Sequence, residues 1–428
     1  MWQLKQIKTL FKSTSFKVVS LILVLFSMAM TVGILGYPYV NTGLGVGSIE
    51  PYGSFKLTNP VNYVKNITQT WDANHYLFLS QNGYSNDENL RFRFAFFPFF
   101  PAESGLVNII TRHPKASLYF TSVLNTLVFA YLSFLLLKTL SKKFEIEDKI
   151  FPIVLTMFLM PFTLYYFLPY TESLFNGLVV ALLLVLEKNK TKSLWLGIPI
   201  CFVLALTRSV GMYSVIITGV YLLYNIFEKT TEDKKTWIQK IFNIKNTAYV
   251  LMMFAAVAGL LSFLSYGKMT TGNFWISKDV QSIWGRSRQR FDVQNLIFDN
   301  FTKALNPEKS IPENCGGNRW CYNGAILFPA ISIFLFILSL VLVLYFYRKH
   351  KIVWATALFS FVLFVTPLTT DNMESFYRYV ITTPIYFLFF PILLNSKLDR
   401  DWMMVVTVCL AMAQGVLLML FANMHWLV

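Results

Sequence analysis

Apolar runs of about 17 to 25 residues, the length an α-helix needs to cross roughly 30 Å of hydrocarbon, recur from one end of the chain to the other. Eleven stand out, at about 17–37, 116–137, 150–168, 171–187, 193–207, 209–227, 247–266, 323–347, 352–368, 379–395 and 402–422. Pro161, Pro169, Pro199 and Arg208 interrupt the runs that start at 150, 193 and 209, so broken or re-entrant helices there leave a range of about nine to thirteen. In lipid only helices and closed barrels satisfy their own backbone, and runs of this length select the helix. The expected fold is therefore an all-α polytopic membrane protein, one domain over residues 1–428. Composition excludes the alternatives. With 55% apolar and 14% charged residues, a soluble body of 428 residues could not cover its surface. High hydrophobicity excludes disorder, and 4 Cys are too few for a disulfide scaffold.

The net charge of +15 belongs to topology rather than to nucleic acid. Lys5, Lys8, Lys12 and Lys17 precede the first run, which lacks a small-x-small cleavage pattern and is expected to stay as an anchor. With the N-terminus inside, short Lys-rich segments such as Lys138 to Lys149, Lys229 to Lys245 and Arg348 to Lys351 fall on the cytoplasmic side, and the C-terminus falls outside. Two outer loops, about 38–115 and 267–322, are far longer than connections need. Chemistry is expected on that extracytoplasmic or luminal side. No long internal repeat is visible, which counts against a transporter built from similar halves.

The first outer loop carries Trp71-Asp72-Ala73-Asn74-His75-Tyr76-Leu77-Phe78-Leu79. Read as a helix, Asp72, His75, Tyr76 and Leu79 share a face at i, i+3, i+4 and i+7, and Asn82-Gly83 supplies a stop. The Phe94-to-Pro101 stretch that follows, flanked by Arg91 and Arg93, is expected to lie in the interface as a shallow helix or wedge beside an acyl chain. The plainer alternative makes Trp71 and the Phe run an aromatic belt and Asp72 a helix cap. In the second outer loop Lys268, Lys278, Arg286, Arg288 and Arg290 interleave with Phe274, Trp275 and Trp284, a pattern that suits an anionic lipid head group or a solvated loop over anionic lipid.

Arg208 and Arg378 sit next to apolar runs, where a guanidinium is costly unless it faces a polar cavity or snorkels. Glu172 could orient a substrate, pair with Arg208 or cap a helix. Asp371, Glu374 and Arg378 form another outer cluster, with Glu374 and Arg378 at i,i+4. Cys315 and Cys321 are placed to close a disulfide, and Asn66 and Asn300 begin glycosylation sequons. The His at 75, 113, 350 and 425 are scattered, and neither a Walker-type loop nor an Asp-x-Asp pair is present, so no metal, nucleotide or other cofactor is expected.

The order W-D-x-x-H-Y-L-x-L, then G-Y at Gly83-Tyr84, then A-F-F-P-x-F-P from Ala95, resembles the first luminal loop of the PIG-V family and its bacterial relatives. That family adds the second mannose to the glycosylphosphatidylinositol anchor and belongs to the GT-C membrane glycosyltransferases. Partial matches continue at Leu164-Tyr165-Tyr166, Pro169 to Phe175, Thr207 to Gly211, and Arg378 with Pro384. The resemblance implies a polyprenyl- or dolichyl-phosphate sugar donor, transfer outside the cytoplasm, inversion at the sugar carbon, and an acidic general base that falls on Asp72. The acceptor would be a glycolipid or glycan. From their positions, Trp71, His75, Tyr76, Glu172, Arg208 and Arg378 are expected to contact substrate, and Lys268, Arg286, Arg288 and Arg290 the donor phosphate. The host membrane reads as bacterial plasma membrane before endoplasmic reticulum. The rival classes are a transporter or lipid flippase, a polymerase using diphosphate-linked glycans, and a membrane scaffold.

Overall fold

A computed structural model describes residues 71–160, 162–227, 243–284, 327–369 and 376–422, together with positions 294, 295, 298, 302 and 305. The expected first span, the sequon asparagines Asn66 and Asn300, Arg286, Arg288, Arg290, Asp371, Glu374, Cys315 and Cys321 lie outside the described residues. Every described element is helical. In chain order they are α1 (Asp72–Asn82), α2 (Phe99–Thr111), α3 (Pro114–Phe144), α4 (Ile150–Leu159), α5 (Glu172–Lys188), α6 (Gly197–Thr207), α7 (Ser214–Phe227), α8 (Ile244–Thr271), α9 (Phe328–Tyr347), α10 (Lys351–Leu368), α11 (Phe376–Ile381), α12 (Phe390–Lys397) and α13 (Arg400–Ala422). Short 3₁₀ turns and one π turn link several of them.

Five described helical stretches are long and apolar enough to cross a membrane: Pro114–Phe144, Ser209–Phe227, Ile244–Thr271, Phe328–Tyr347 and Lys351–Leu368. Of the remaining expected runs, those at 150–168, 171–187, 193–207 and 379–395 are helical but shorter or interrupted. The run at 150–168 is the clearest case. Its helix α4 has 10 residues, about 15 Å of rise, and cannot cross alone. Pro161 disfavours helical backbone at Met160, which is extended at ψ 147°, and Phe162 then turns at φ 68°. The freed carbonyls find hydroxyl and amide donors inside the bundle. Ser122 donates to the Leu168 carbonyl, Thr126 to that of Tyr166, and Gln414 Nε2 to that of Phe158 at 2.7 Å. Irregular backbone survives among apolar helices only with such partners. The run at 379–395 breaks in the same way at Pro384, where the Ile385 N–H is taken by Ser360 Oγ at 3.1 Å.

Helix packing uses small residues. Helix α3 lies along α5, α6 against α8, and α7 against α8 and α10. A Cβ on Gly259 of α8 would stand 2.4 Å from the Phe202 carbonyl oxygen of α6, so the two backbones touch. The sequence stop after α1 behaves as read: Gly83, at φ 68°, donates its N–H to Leu79 O at 3.0 Å.

The Phe94-to-Phe100 stretch departs from the expected lipid-side wedge. Phe94, Phe96, Phe97 and Phe100 are all buried in protein. Phe94 and Phe97 pack on Phe263 of α8, with ring centroids 6.1 and 4.7 Å away, and Phe96 and Phe100 meet Tyr76 of α1 edge-on at 5.3 and 5.2 Å. The run bolts the first loop onto the helices. The exposed apolar face lies one helix further on, at Leu106, Ile109 and Ile110 of α2.

Candidate active site

Four ionisable side chains from four separate stretches converge. Asp72 opens α1, Glu172 opens α5, Arg208 follows the last turn of α6, and Arg378 sits inside α11. Arg378 Nη1 donates to Asp72 Oδ2 at 2.7 Å, while its Nε and Nη2 donate to Glu172 Oε1 at 3.0 and 2.9 Å. Arg208 Nη1 reaches the same Glu172 oxygen at 3.0 Å. Glu172 thus ties two guanidiniums together, and one of them carries Asp72. Exposure separates the carboxylates: the Glu172 side chain is 0% exposed and that of Asp72 21%, so only Asp72 is open to a second molecule.

Local structure explains the placement. Both carboxylates sit in the first turn of a helix, where the macrodipole favours negative charge. Arg208 is extended, at φ −153° and ψ 148°, because α6 ends there and a 3₁₀ turn over Ser209–Tyr213 begins. That turn folds back so closely that a Cβ on Gly211 would lie 2.0 Å from the Leu204 carbonyl oxygen, a space only glycine fits. Aromatic rings cover the guanidiniums. Arg378 Cζ lies 4.6 Å from the Tyr170 ring centroid and 5.1 Å from that of Tyr165, and Arg208 Cζ lies 5.3 Å from that of Tyr379. Tyr165 and Tyr377 share a hydrogen bond of 3.0 Å beneath them.

The rest of α1 borders the cluster. Trp71, at φ 52° and ψ −133°, holds a backbone conformation L-residues rarely adopt, and it turns the chain into α1. Tyr76 is buried, and burial with the nearby Asp72 and Glu172 charges raises its phenol well above the usual value, so it stays a neutral hydroxyl. The His75 ring lies 4.6 Å from that of Phe96 and 5.3 Å from that of Phe92. Burial pushes its imidazole down to about 4, with Asp72 pulling it upward and Arg93 adding to the depression.

His75 therefore gives a pH prediction. Unfolded, it titrates near 6.5; folded, near 4, so the folded chain binds fewer protons between those values. Stability rises with pH across that window and is lost on acidification, by at most about 1.4 kcal/mol per unit. The thermal midpoint in detergent is expected to fall between about pH 7 and pH 4.5, and a His75→Phe variant to fall less. Equal slopes in the two proteins would contradict a neutral buried imidazole.

The expected base Asp72 and the expected substrate contacts Glu172, Arg208 and Arg378 come together, with Trp71, His75 and Tyr76 alongside. The pairing of Glu172 with Arg208 is the option realised among those open in the sequence. Glu172 thereby departs from a substrate contact, since its side chain is wholly enclosed. Lys268 departs too: it is exposed in the last turn of α8, and among the described residues no ion pair joins it to the cluster. Tyr165 and Tyr170 carry the floor under Arg378, a role no spacing announces. Arg93, read only as a flank of the Phe run, is the other residue missed; its Cζ lies 3.7 Å from the Phe78 ring centroid of α1.

No family model matches the chain, and no curated protein does. Solved structures of an oligosaccharyltransferase from Archaeoglobus fulgidus are similar at 10% identity. The form with zinc and sulfate gives a TM-score of 0.41 over 94% of this chain and 53% of that one. The form tethered to an acceptor peptide with an NVT sequon gives 0.45, and the form of AglB with an inhibitory peptide and a dolichol-phosphate 0.44, each over 98% of this chain and 56% of that one. The chain spans about half the length of the structures it matches. A likeness at this level carries no functional weight.

Proposed function

We propose that the chain is a membrane glycosyltransferase of the GT-C type that moves a hexose, mannose in the first instance, from a polyprenyl-phosphate carrier to an extracytoplasmic glycolipid or glycan, with inversion. The observation that supports this reading most is the asymmetry of the two carboxylates. Glu172 is enclosed and its Oε1 accepts from two guanidiniums, whereas Asp72, which accepts from Arg378, is partly exposed.

In the reaction so read, Asp72 takes the proton of an acceptor hydroxyl as its oxygen forms a bond to the anomeric carbon from one face. The bond from that carbon to the phosphate oxygen breaks on the other face, and the carrier leaves as the lipid phosphate with the electron pair. One base suffices for a single inversion, and no covalent intermediate on the protein is needed. Arg378 orients the base; Glu172 holds Arg378, and Arg208 holds Glu172.

The test is donor consumption by the purified protein in detergent with a glycolipid extract as acceptor. Polyprenyl-phosphate mannose is expected to be converted to polyprenyl phosphate and to be competed poorly by diphosphate-linked oligosaccharide. Turnover of the diphosphate-linked donor alone would move the chain to the polymerase class, and translocation of either lipid without cleavage, after reconstitution into vesicles, to the flippase class.

A further inference from the structure

Three arginines lie close to α1 or to the residues it carries: Arg208 and Arg378 in the ionic cluster, and Arg93 stacked on Phe78 of α1. Arg208 and Arg378 are committed to carboxylates. Arg93 is not. Its Nε and Nη1 are buried and meet no hydrogen-bond acceptor among the described residues. A guanidinium can snorkel to water or find a carboxylate; two of these nitrogens do neither, and buried unmet donors cost as much as lost hydrogen bonds. Such groups in a native fold ask for a water or an ion to complete them.

The same side chain is firmly placed. Its Cζ stacks 3.7 Å from the Phe78 ring centroid and 4.7 Å from that of Phe92, so the guanidinium plane is set by α1 and by its own 3₁₀ turn, Arg91–Ala95. Its field reaches His75, three residues from Asp72, and the His75 ring in turn abuts Phe92. Phe94 and Phe96, which follow it, are buried and anchor the turn on its C-terminal side. A fixed cation with two enclosed, unmet nitrogens, on the same helix-and-turn frame as His75, suits an anion with several oxygens.

We propose that Arg93 is the anion-binding residue of this site and donates to the oxygens of the phosphate on a lipid-linked substrate. Charge-assisted bonds to phosphate are the strong ones, and they strengthen further as the carrier departs and its phosphate gains charge. The assignment rests on the glycosyl-transfer reading for the identity of the lipid, but not for the anion itself.

Binding of farnesyl phosphate, farnesol and inorganic phosphate to the full chain in detergent, followed by thermal shift and by tryptophan fluorescence, tests it without any turnover. The wild-type chain is expected to bind farnesyl phosphate and to bind farnesol far more weakly. Arg93→Met, which keeps the stem on Phe78, is expected to weaken farnesyl phosphate roughly ten- to a hundredfold while leaving the unliganded midpoint unchanged or higher, because unmet donors are removed. Arg93→Lys is expected to restore much of the affinity. Unchanged farnesyl phosphate affinity in Arg93→Met overturns the assignment and spares the functional reading. A large drop in the unliganded midpoint makes Arg93 structural and likewise overturns it. Arg93-dependent binding of inorganic phosphate with no preference for the farnesyl ester keeps the anion site and overturns the lipid-donor reading instead. A wild-type chain that binds neither phosphate overturns both.

Discussion

Replacing Asp72 with Asn is expected to cut turnover of the polyprenyl-phosphate donor by about 10²- to 10⁴-fold, the range attributed to a positioned general base. The amide keeps the shape of the carboxylate and can still accept from Arg378, so the 2.7 Å contact has a substitute and the fold should persist. What is lost is the lone pair able to take a proton. Donor affinity should change little, and the loss should fall on kcat with KM nearly constant. Asp72→Glu places a carboxylate about one methylene further out and is expected to recover a fraction of the rate. An Asp72→Asn protein with a wild-type melting curve and near-normal turnover would remove the mechanism, because no second described carboxylate of the cluster is open to substrate.

Glu172 should behave oppositely, with a stability effect that outweighs any direct chemical one. Its one oxygen accepts from Arg208 and from two nitrogens of Arg378, with the side chain fully enclosed. Removing the carboxylate leaves two guanidiniums facing each other in a poorly solvated site, and breaking a buried pair in this way typically costs about 3–5 kcal/mol. Glu172→Gln is therefore expected to lower the thermal midpoint and the yield of folded protein. The discriminating measurement is a double-mutant cycle. If charge balance is the cause, Arg208→Gln should rescue part of the Glu172→Gln loss, giving a coupling of about 1–3 kcal/mol. Additive losses would mean that the two side chains act independently and that packing, not charge, is what Glu172 provides.

Much of this was legible in the chain, for physical reasons that also mark the limit. Helices such as α3, α8, α9 and α10 announce themselves because lipid leaves an apolar run no other way to satisfy its backbone. Asp72, Glu172, Arg208 and Arg378 were legible as single residues, since an ionisable group beside an apolar run is expensive and calls for a reason. Their union was not. Arg208 lies 36 positions from Glu172, Arg378 lies 206 from Glu172 and 306 from Asp72, and no periodicity links such distances. Instead, the chain order suggested a local pair for Arg378 with Glu374, a residue outside the described ones. The Phe94-to-Phe100 run was misplaced because apolar composition is the same whether a ring faces acyl chains or other helices; only packing on Phe263 and Tyr76 decides it. Arg93 is not legible because a lone Arg between rings has the same sequence signature whether its nitrogens face water or, as here, two of them are enclosed.

The span between Asp72 and Arg378 has a bearing on biogenesis. Chain growth delivers both acids and Arg208 to the bilayer long before the guanidinium that completes them has been synthesised. Until residue 378 emerges and docks, a nascent chain holds two carboxylates against one paired arginine. The final ion pair can therefore form only late in synthesis, and a product truncated before residue 378 leaves Asp72 without this partner.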